Sequence, residues 1–132
     1  MNNECPPILF IVFNRLETCK SVFNVIKNQK PSLFFIAADG PRNNIPDDTH
    51  NCNLVREWVL SNINWKCEVK TLFRNINLGC GIAVSQAITW FFTHVEEGII
   101  LEDDCLPAQS FFKFCKINLE KSKYMTKIYN TL

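Results

Sequence analysis

Four short apolar segments, each followed by a turn or a group of polar residues, constrain the fold of this chain more than any other feature. The first two, Ile8 to Phe13 and Leu33 to Ala38, are continuous, the third, Cys67 to Phe73, alternates in polarity, and the fourth is Ile99 to Leu101. Continuous runs of this length are typical of strands buried on both faces, whereas alternation is typical of a strand with one wetter face. We therefore predict four strands, with the third nearer the edge of the sheet.

Amphipathic segments separate these strands. The residues at helical spacing are Cys19, Val22, Phe23 and Ile26; Val55, Trp58, Val59 and Asn62; Val84, Ala87, Ile88, Phe91, Phe92 and Val95; and Ala108, Phe111, Phe112, Cys115 and Leu119. Each set predicts a helix with one apolar side. Thr18 is a candidate N-cap for the first helix, and Pro31 lies just beyond its end. Asp47 and Asp48 favour the start of a second helix, from about Thr49 to Ser61, through capping and the helix dipole.

Strands that alternate with helices predict an α/β fold with three layers and a mainly parallel, Rossmann-like sheet. A chain of 132 residues, with 47% hydrophobic and 20% charged residues, suits one globular domain over residues 1–132. In folds of this class, ligands bind at the carboxyl ends of the strands. The residues that follow the four strands are therefore the first candidates for a site.

Composition excludes several classes of protein. Lys and Arg number 14 against 13 Asp and Glu, and no basic stripe is present, so nucleic acid binding has no support. The apolar run near the start is far shorter than the ~20 residues that span a bilayer, so we predict neither a transmembrane segment nor a signal peptide.

The seven cysteines show no paired spacing of the kind that metal-binding or redox motifs use. They stand at Cys5, Cys19, Cys52, Cys67, Cys80, Cys105 and Cys115. We interpret them as small buried hydrophobic residues in a reducing compartment, which predicts a cytoplasmic location.

Polar residues follow every predicted strand, and a parallel sheet would bring them to the same edge. They are Asn14-Arg15, Asp39-Gly40, Arg74-Asn75 and Glu102-Asp103-Asp104. Three adjacent acids repel one another, and a hard cation with oxygen ligands, Mn or Mg, would neutralise them. The alternative is a solvated acidic turn that the following helix N-terminus stabilises.

Two further residues of this edge have alternative interpretations. Arg15 fits either a bidentate contact with phosphate oxygens or an ordinary surface ion pair. Asp39 fits either a hydrogen bond with a base or ribose or the formation of a turn before Gly40.

Other features give weaker signals. The segment Asn77 to Gly81 is not a dinucleotide-binding fingerprint, because Val84 occupies the third glycine position. His50 and His94 have no Cys or Ser partner at an interpretable spacing, so we predict surface histidines.

The chain resembles the nucleotide-diphospho-sugar transferases of GT-A fold, in particular a bacterial group distantly similar to the N-acetylglucosaminyltransferases that make hybrid N-glycans. Four segments carry the resemblance: Pro7 to Arg15, Phe35 to Arg42, Asn77 to Gly79 with its helix, and Gly98 to Asp104 before Ser110 to Phe112. The resemblance implies glycosyl transfer from a nucleotide-sugar, a UDP-sugar, to a glycan, lipid or protein acceptor.

The resemblance also implies roles for individual residues. Arg15 would contact the nucleotide diphosphate, and Asp39 would face the uracil or equivalent base. Glu102-Asp103-Asp104 occupies the place of the family's DXD motif, in which Asp104 would bind Mn or Mg while Glu102 and Asp103 would contact ribose or donor sugar. The metal holds the diphosphate and stabilises the charge on the leaving group.

The chain departs from this family in length. GT-A catalytic domains are normally longer, and the acceptor site and catalytic base of inverting members lie beyond the DXD strand. The segment 121–132 does not continue the family pattern either. We therefore expect a C-terminally truncated member with no assigned catalytic residue, which binds donor but transfers little sugar.

Two alternatives stay open. The first is an inactive remnant that binds nucleotide or acts as an interaction module. The second is a phosphoacceptor receiver domain, which requires acids after the first strand, where this chain has Asn14-Arg15.

Overall fold

The computed structural model describes the backbone of residues 4–131 and the side chains of residues 4–123. Strands and helices alternate through these residues, as the sequence predicts. The elements are β1 (Ile8–Val12), α1 (Leu16–Gln29), β2 (Leu33–Ala38), α2 (Asp48–Asn62), β3 (Glu68–Phe73), α3 (Cys80–Phe92), β4 (Ile99–Glu102) and α4 (Ser110–Thr131). The segment 121–132, predicted to depart from the family pattern, has side chains that lie outside the described residues from position 124 onward.

The four strands found within residues 4–131 form one sheet in the order β3-β2-β1-β4, and every neighbouring pair is parallel. Val12 pairs with Ala38, and Ile11 pairs with Glu102, so the strands end at the same edge of the sheet. β3 is one of the two edge strands of this sheet, with β4 at the other edge, and its residues are exposed or half-buried, which confirms the prediction that it lies near the edge.

Helices cover both faces of the sheet, which confirms the three-layer α/β/α architecture. On one face, buried residues of α1, α2 and α4 pack against alternate residues of the strands, such as Phe10 and Ile36. On the opposite face, Ala87 and Phe91 of α3 pack against Leu9, Phe35 and Ala37. The ring of Phe91 meets that of Phe35 edge to face, with centroids 4.8 Å apart.

The connections create a point at which the strand order reverses. From β1 the chain proceeds through α1 and α2 to β2 and β3, and α3 then carries it across the opposite face to β4. Because crossover connections are right-handed, a helix that leads to a strand on one side of β1 lies on one face of the sheet, and a helix that leads to the other side lies on the opposite face. The loops after β1 and β4 therefore diverge and leave a crevice, which is where open α/β sheets bind ligands.

The starts of two helices differ from the predictions. Thr18 lies inside α1, which begins at Leu16, and its hydroxyl donates to the Arg15 carbonyl at 3.2 Å. Asp47 occupies the N-cap position of α2 with φ 67°, yet its side chain makes no capping hydrogen bond. Asp48 is buried and binds Asn14, which is 34 positions away, and Arg42, which is six positions away in the loop that leads into α2.

The cysteines only partly follow the prediction. Cys19 and Cys52 are buried, and burial raises the pKa of the Cys19 thiol to about 12, which makes it unreactive. Cys80 and Cys105 are exposed because both lie near the carboxyl ends of the strands, so the prediction of burial is wrong for them. His50 and His94 are exposed, as predicted.

None of the helices in the described part of the chain is long and apolar enough to cross a membrane.

Candidate functional site

A cleft with a volume of about 360 Å³ opens at the carboxyl ends of the strands. Residues that follow all four strands line it, together with the first turn of α3. All five residues predicted as site residues are among them: Arg15, Asp39, Glu102, Asp103 and Asp104. The structure thus places them around one space, although up to 89 positions separate them in the chain.

Glu102 and Asp104 form the acidic end of the cleft. Carboxylate oxygens of these two residues and the Cys105 sulfur all lie within 4.8 Å of one another, and all three residues are exposed. The Cys105 thiol donates to Asp104 Oδ1 at 3.5 Å, and this hydrogen bond raises the thiol pKa. Exposed acids group in this way in many proteins without a metal, so the geometry permits cation binding and goes no further.

Asp103 lies in the turn that follows β4, and it is buried whereas its neighbours Glu102 and Asp104 are exposed. Its backbone N–H donates to the Ile11 carbonyl at 3.0 Å, which continues the pairing of β4 with β1. The residue is 7% exposed, and its Oδ2 has no hydrogen-bond partner among the described residues. Burial raises the pKa of Asp103, while the nearby Arg15 lowers it. All three acids line the cleft, but only Glu102 and Asp104 bring carboxylate oxygens close together at its exposed acidic end.

Arg15 is the N-cap residue of α1, at the end of the turn that follows β1, and lies beside the acids. Its Nη2 is 3.6 Å from Asp104 Oδ2, and its side chain is 62% exposed. A long, exposed contact of this kind contributes little energy, so the guanidinium can rearrange around a ligand at low cost. Arg15 therefore keeps its charge available to an anion in the cleft.

Asp39 anchors the loop that leads into α3. Its Oδ1 accepts hydrogen bonds from the backbone N–H groups of Gly40 at 2.8 Å and Leu78 at 2.9 Å. Its Oδ2 accepts from Asn77 Nδ2 and the Gly79 N–H, both at 3.1 Å. Four donors fill the usual capacity of a carboxylate. In this geometry Asp39 forms a turn and binds a loop, and the predicted contact with a base stays a prediction.

The sequence does not reveal an ion pair at the rim of the cleft, between the buried Asp48 and the partly exposed Arg42. Asp48 accepts from Arg42 Nε and Nη2, both at 3.0 Å, from the Arg42 backbone N–H at 2.8 Å and from Asn14 Nδ2 at 2.6 Å. These hydrogen bonds from Arg42 hold the pKa of Asp48 well below its usual range, although burial opposes them. No local sequence pattern identifies this pair, because an aspartate at the start of a helix is first interpreted as an N-cap.

Arg56 ties the ends of β2 and β3 together from α2. Its Nη2 donates to the backbone carbonyls of Asp39 at 2.9 Å and Arg74 at 2.7 Å, and its guanidinium lies 5.1 Å from the centre of the Phe73 ring. Burial lowers the pKa of Arg56, and its Nε has no partner among the described residues. We assign Arg56 a structural role, because its guanidinium is bound to backbone carbonyls of residues that line the cleft.

Comparison of the chain with models of protein families, with curated proteins and with solved structures gives no match.

Proposed function

We propose that this domain binds a nucleotide-diphospho-sugar, a UDP-sugar, together with Mn or Mg, as the donor-binding part of a glycosyltransferase. The observation that carries the proposal is the meeting of Arg15 with Glu102 and Asp104 beside the crevice between β1 and β4. A cation site next to an available guanidinium suits a ligand that carries a diphosphate. A cytoplasmic location belongs to the same proposal.

The donor atoms at the acidic end fit a hard cation. Glu102 and Asp104 offer carboxylate oxygens, which Mn and Mg accept. Asp104 would bind the cation with Glu102 beside it, and Arg15 would contact the diphosphate. A bound cation would supply charge stabilisation to the departing nucleoside diphosphate.

The alternatives differ from this proposal in what the cleft would do. An inactive remnant would bind the donor without transfer, and the same binding measurements apply to it. A receiver-like site is disfavoured, because the Asn14 amide after β1 is bonded to Asp48 and no acid stands there.

Calorimetry with a panel of UDP-, GDP- and CDP-sugars, each with Mn and with a chelator, tests the proposal. We expect at least one UDP-sugar to bind with Mn and to lose most of its affinity after chelation. Absence of binding across the panel, with the protein shown to be folded, would overturn the proposal. Release of free UDP with an acceptor present then separates a transferase from a binding module.

A further inference from the structure

The geometry of the β2 loop points to a second ligand contact: we propose that Arg42 binds a neutral oxygen of the nucleoside, either a base carbonyl or a ribose hydroxyl. Asp48 and Asn14 act as positioning residues that hold the Arg42 guanidinium in place. This inference rests on the proposed function and adds the residue that recognises the nucleoside.

The Arg42 guanidinium is fixed on two sides. Its Nε and Nη2 each lie 3.0 Å from a different oxygen of Asp48, which is the two-pronged geometry that holds a planar group most firmly. The centre of the guanidinium also lies 5.5 Å from the centre of the Phe13 ring. Asp48 cannot turn away easily, because it is 1% exposed and accepts four hydrogen bonds.

The Arg42 side chain lines the cleft and is only partly occupied by Asp48. An arginine carries five N–H donors, and Asp48 occupies two of those on the Arg42 side chain, so three are left for a ligand. The Arg42 side chain is 44% exposed and lines the cleft. A rigid group with free donors in a cleft recognises acceptors by direction as well as by distance.

The charge of Arg42 distinguishes it from Arg15. Asp48 neutralises Arg42 at short distance from a buried position, so the pair as a whole attracts an anion weakly. Arg15 is paired only at 3.6 Å and is more exposed, and it is the better partner for a diphosphate. A neutralised arginine with three free donors is better suited to a neutral oxygen.

The strand order places Arg42 where a nucleoside would lie. Neighbouring strands are about 4.8 Å apart, so the end of β2 lies roughly 10 Å from the end of β4. A nucleoside is bonded to its diphosphate and must extend to one side of it. With the diphosphate between β1 and β4, that side is β2, where the Asp39 carboxylate is already filled and Arg42 supplies the free donors.

Calorimetry in the presence of Mn with pyrophosphate, ribose 5-diphosphate and UDP tests the inference on the whole chain. Arg42→Lys retains a charge for Asp48 but loses the two-pronged geometry and the fixed, planar arrangement of the remaining donors. We expect a roughly tenfold loss of UDP affinity, the equivalent of one good hydrogen bond, and a change of less than about twofold for pyrophosphate. An equal loss for ribose 5-diphosphate identifies a ribose hydroxyl, and a loss confined to UDP identifies a base carbonyl.

Two further variants keep the test decisive. Lys113→Met is the control, because Lys113 is an exposed basic residue of α4 outside the cleft, and we expect UDP to bind this variant as tightly as wild type. Arg42→Met combined with Asp48→Asn removes both charges, so no buried ion is left unpaired if Arg42→Lys fails to fold. It should show the same selective loss.

Specific outcomes would overturn the inference. Equal losses for UDP and pyrophosphate in Arg42→Lys would assign Arg42 to the diphosphate, and unchanged UDP affinity would remove it from the site. Equal affinity of the wild-type protein for pyrophosphate and UDP would contradict the nucleoside contact but not the proposed function. Wild-type protein that binds neither would contradict the proposed function itself.

Discussion

Asp48 shows how one buried side chain links folding to the site. It lies at the first position of α2, and its carboxylate joins the loop after β1, through Asn14, to the loop after β2, through Arg42. A carboxylate removed from water needs compensating hydrogen bonds and charge, and both are present here. The rim of the cleft is therefore held together by a residue that does not line it.

The stability of the domain should fall at acid pH through Asp48. Its pKa is lowered in the folded protein by the Arg42 hydrogen bonds, so the ionised carboxylate stabilises the fold above the ordinary aspartate pKa of about 3.9. This contribution is lost progressively as the pH falls below that value. Urea denaturation at about pH 6 and about pH 3 measures the free energy of unfolding at each pH. The decrease between the two pH values should be smaller for Asp48→Asn than for wild type. The same difference in both proteins would contradict this assignment.

Asp104 carries the sharpest prediction for the proposed cation. Asp104→Asn removes an anionic oxygen while nearly preserving shape, so we expect at least a roughly tenfold loss of Mn-dependent UDP-sugar affinity without a change in folding. Glu120→Gln, at an exposed position of α4, is the control and should bind like wild type. Equal affinity for Asp104→Asn and wild type would contradict the cation site and favour the alternative, in which Glu102 and Asp104 belong to a solvated acidic turn.

At the scale of elements, the path of the loop after β3 depends on close backbone approach. A Cβ placed on Gly40 would lie 2.4 Å from the Ile76 carbonyl carbon and 2.6 Å from the Ile76 nitrogen. Backbone cannot yield as a side chain can, so this loop and the turn after β2 have to move apart. Gly40 is what lets Asp39 reach the N–H groups of Leu78 and Gly79.

A pair of glycine substitutions tests this close approach. Gly40→Ala should lower the free energy of unfolding by about 1–3 kcal/mol, because the added methyl meets backbone atoms. Gly81→Ala, within α3, meets nothing within 4 Å and should raise stability by about 0.5–1 kcal/mol through helix propensity. Thermal or urea denaturation measures both, and a shift of the same sign in the two variants would contradict the account.

At the scale of the whole molecule, the candidate site borders the ends of all four described strands. β1 and β2 are almost fully buried between the two helical layers, and they supply the loops with Arg15 and Arg42. A ligand that bridges the loops after β1, β2 and β4 would bind only the folded chain. Its binding free energy would then add to the stability of the domain.

This coupling predicts a thermal shift. A UDP-sugar with Mn, at a free concentration about 100 times its Kd, should raise the free energy of unfolding by about 2.7 kcal/mol, or roughly 10 °C in Tm for a domain of this size. Scanning calorimetry with Mn and with a chelator measures it. Asp104→Asn at the same ligand concentration should show a smaller rise, and an undiminished rise after chelation would contradict a role for the cation.

The sequence by itself determined the elements, the parallel sheet and the edge at which the candidate site lies. Apolar runs and helical spacing are local properties, and burial of those residues forces strands and helices to alternate between layers. The convergence of Arg15, Asp39 and the three acids follows from parallel strands alone, because their carboxyl ends share one edge.

Only the tertiary structure decided which of those side chains are free. Asp39 is filled by a loop 38 to 40 positions away, Asp48 joins loops instead of capping α2, and Asp103 is buried while its neighbours face water. Each outcome depends on the strand order and on the path of loops, which local periodicity does not encode. A buried polar side chain needs hydrogen-bond partners, and the groups near enough to supply them belong to other loops and strands of the folded chain.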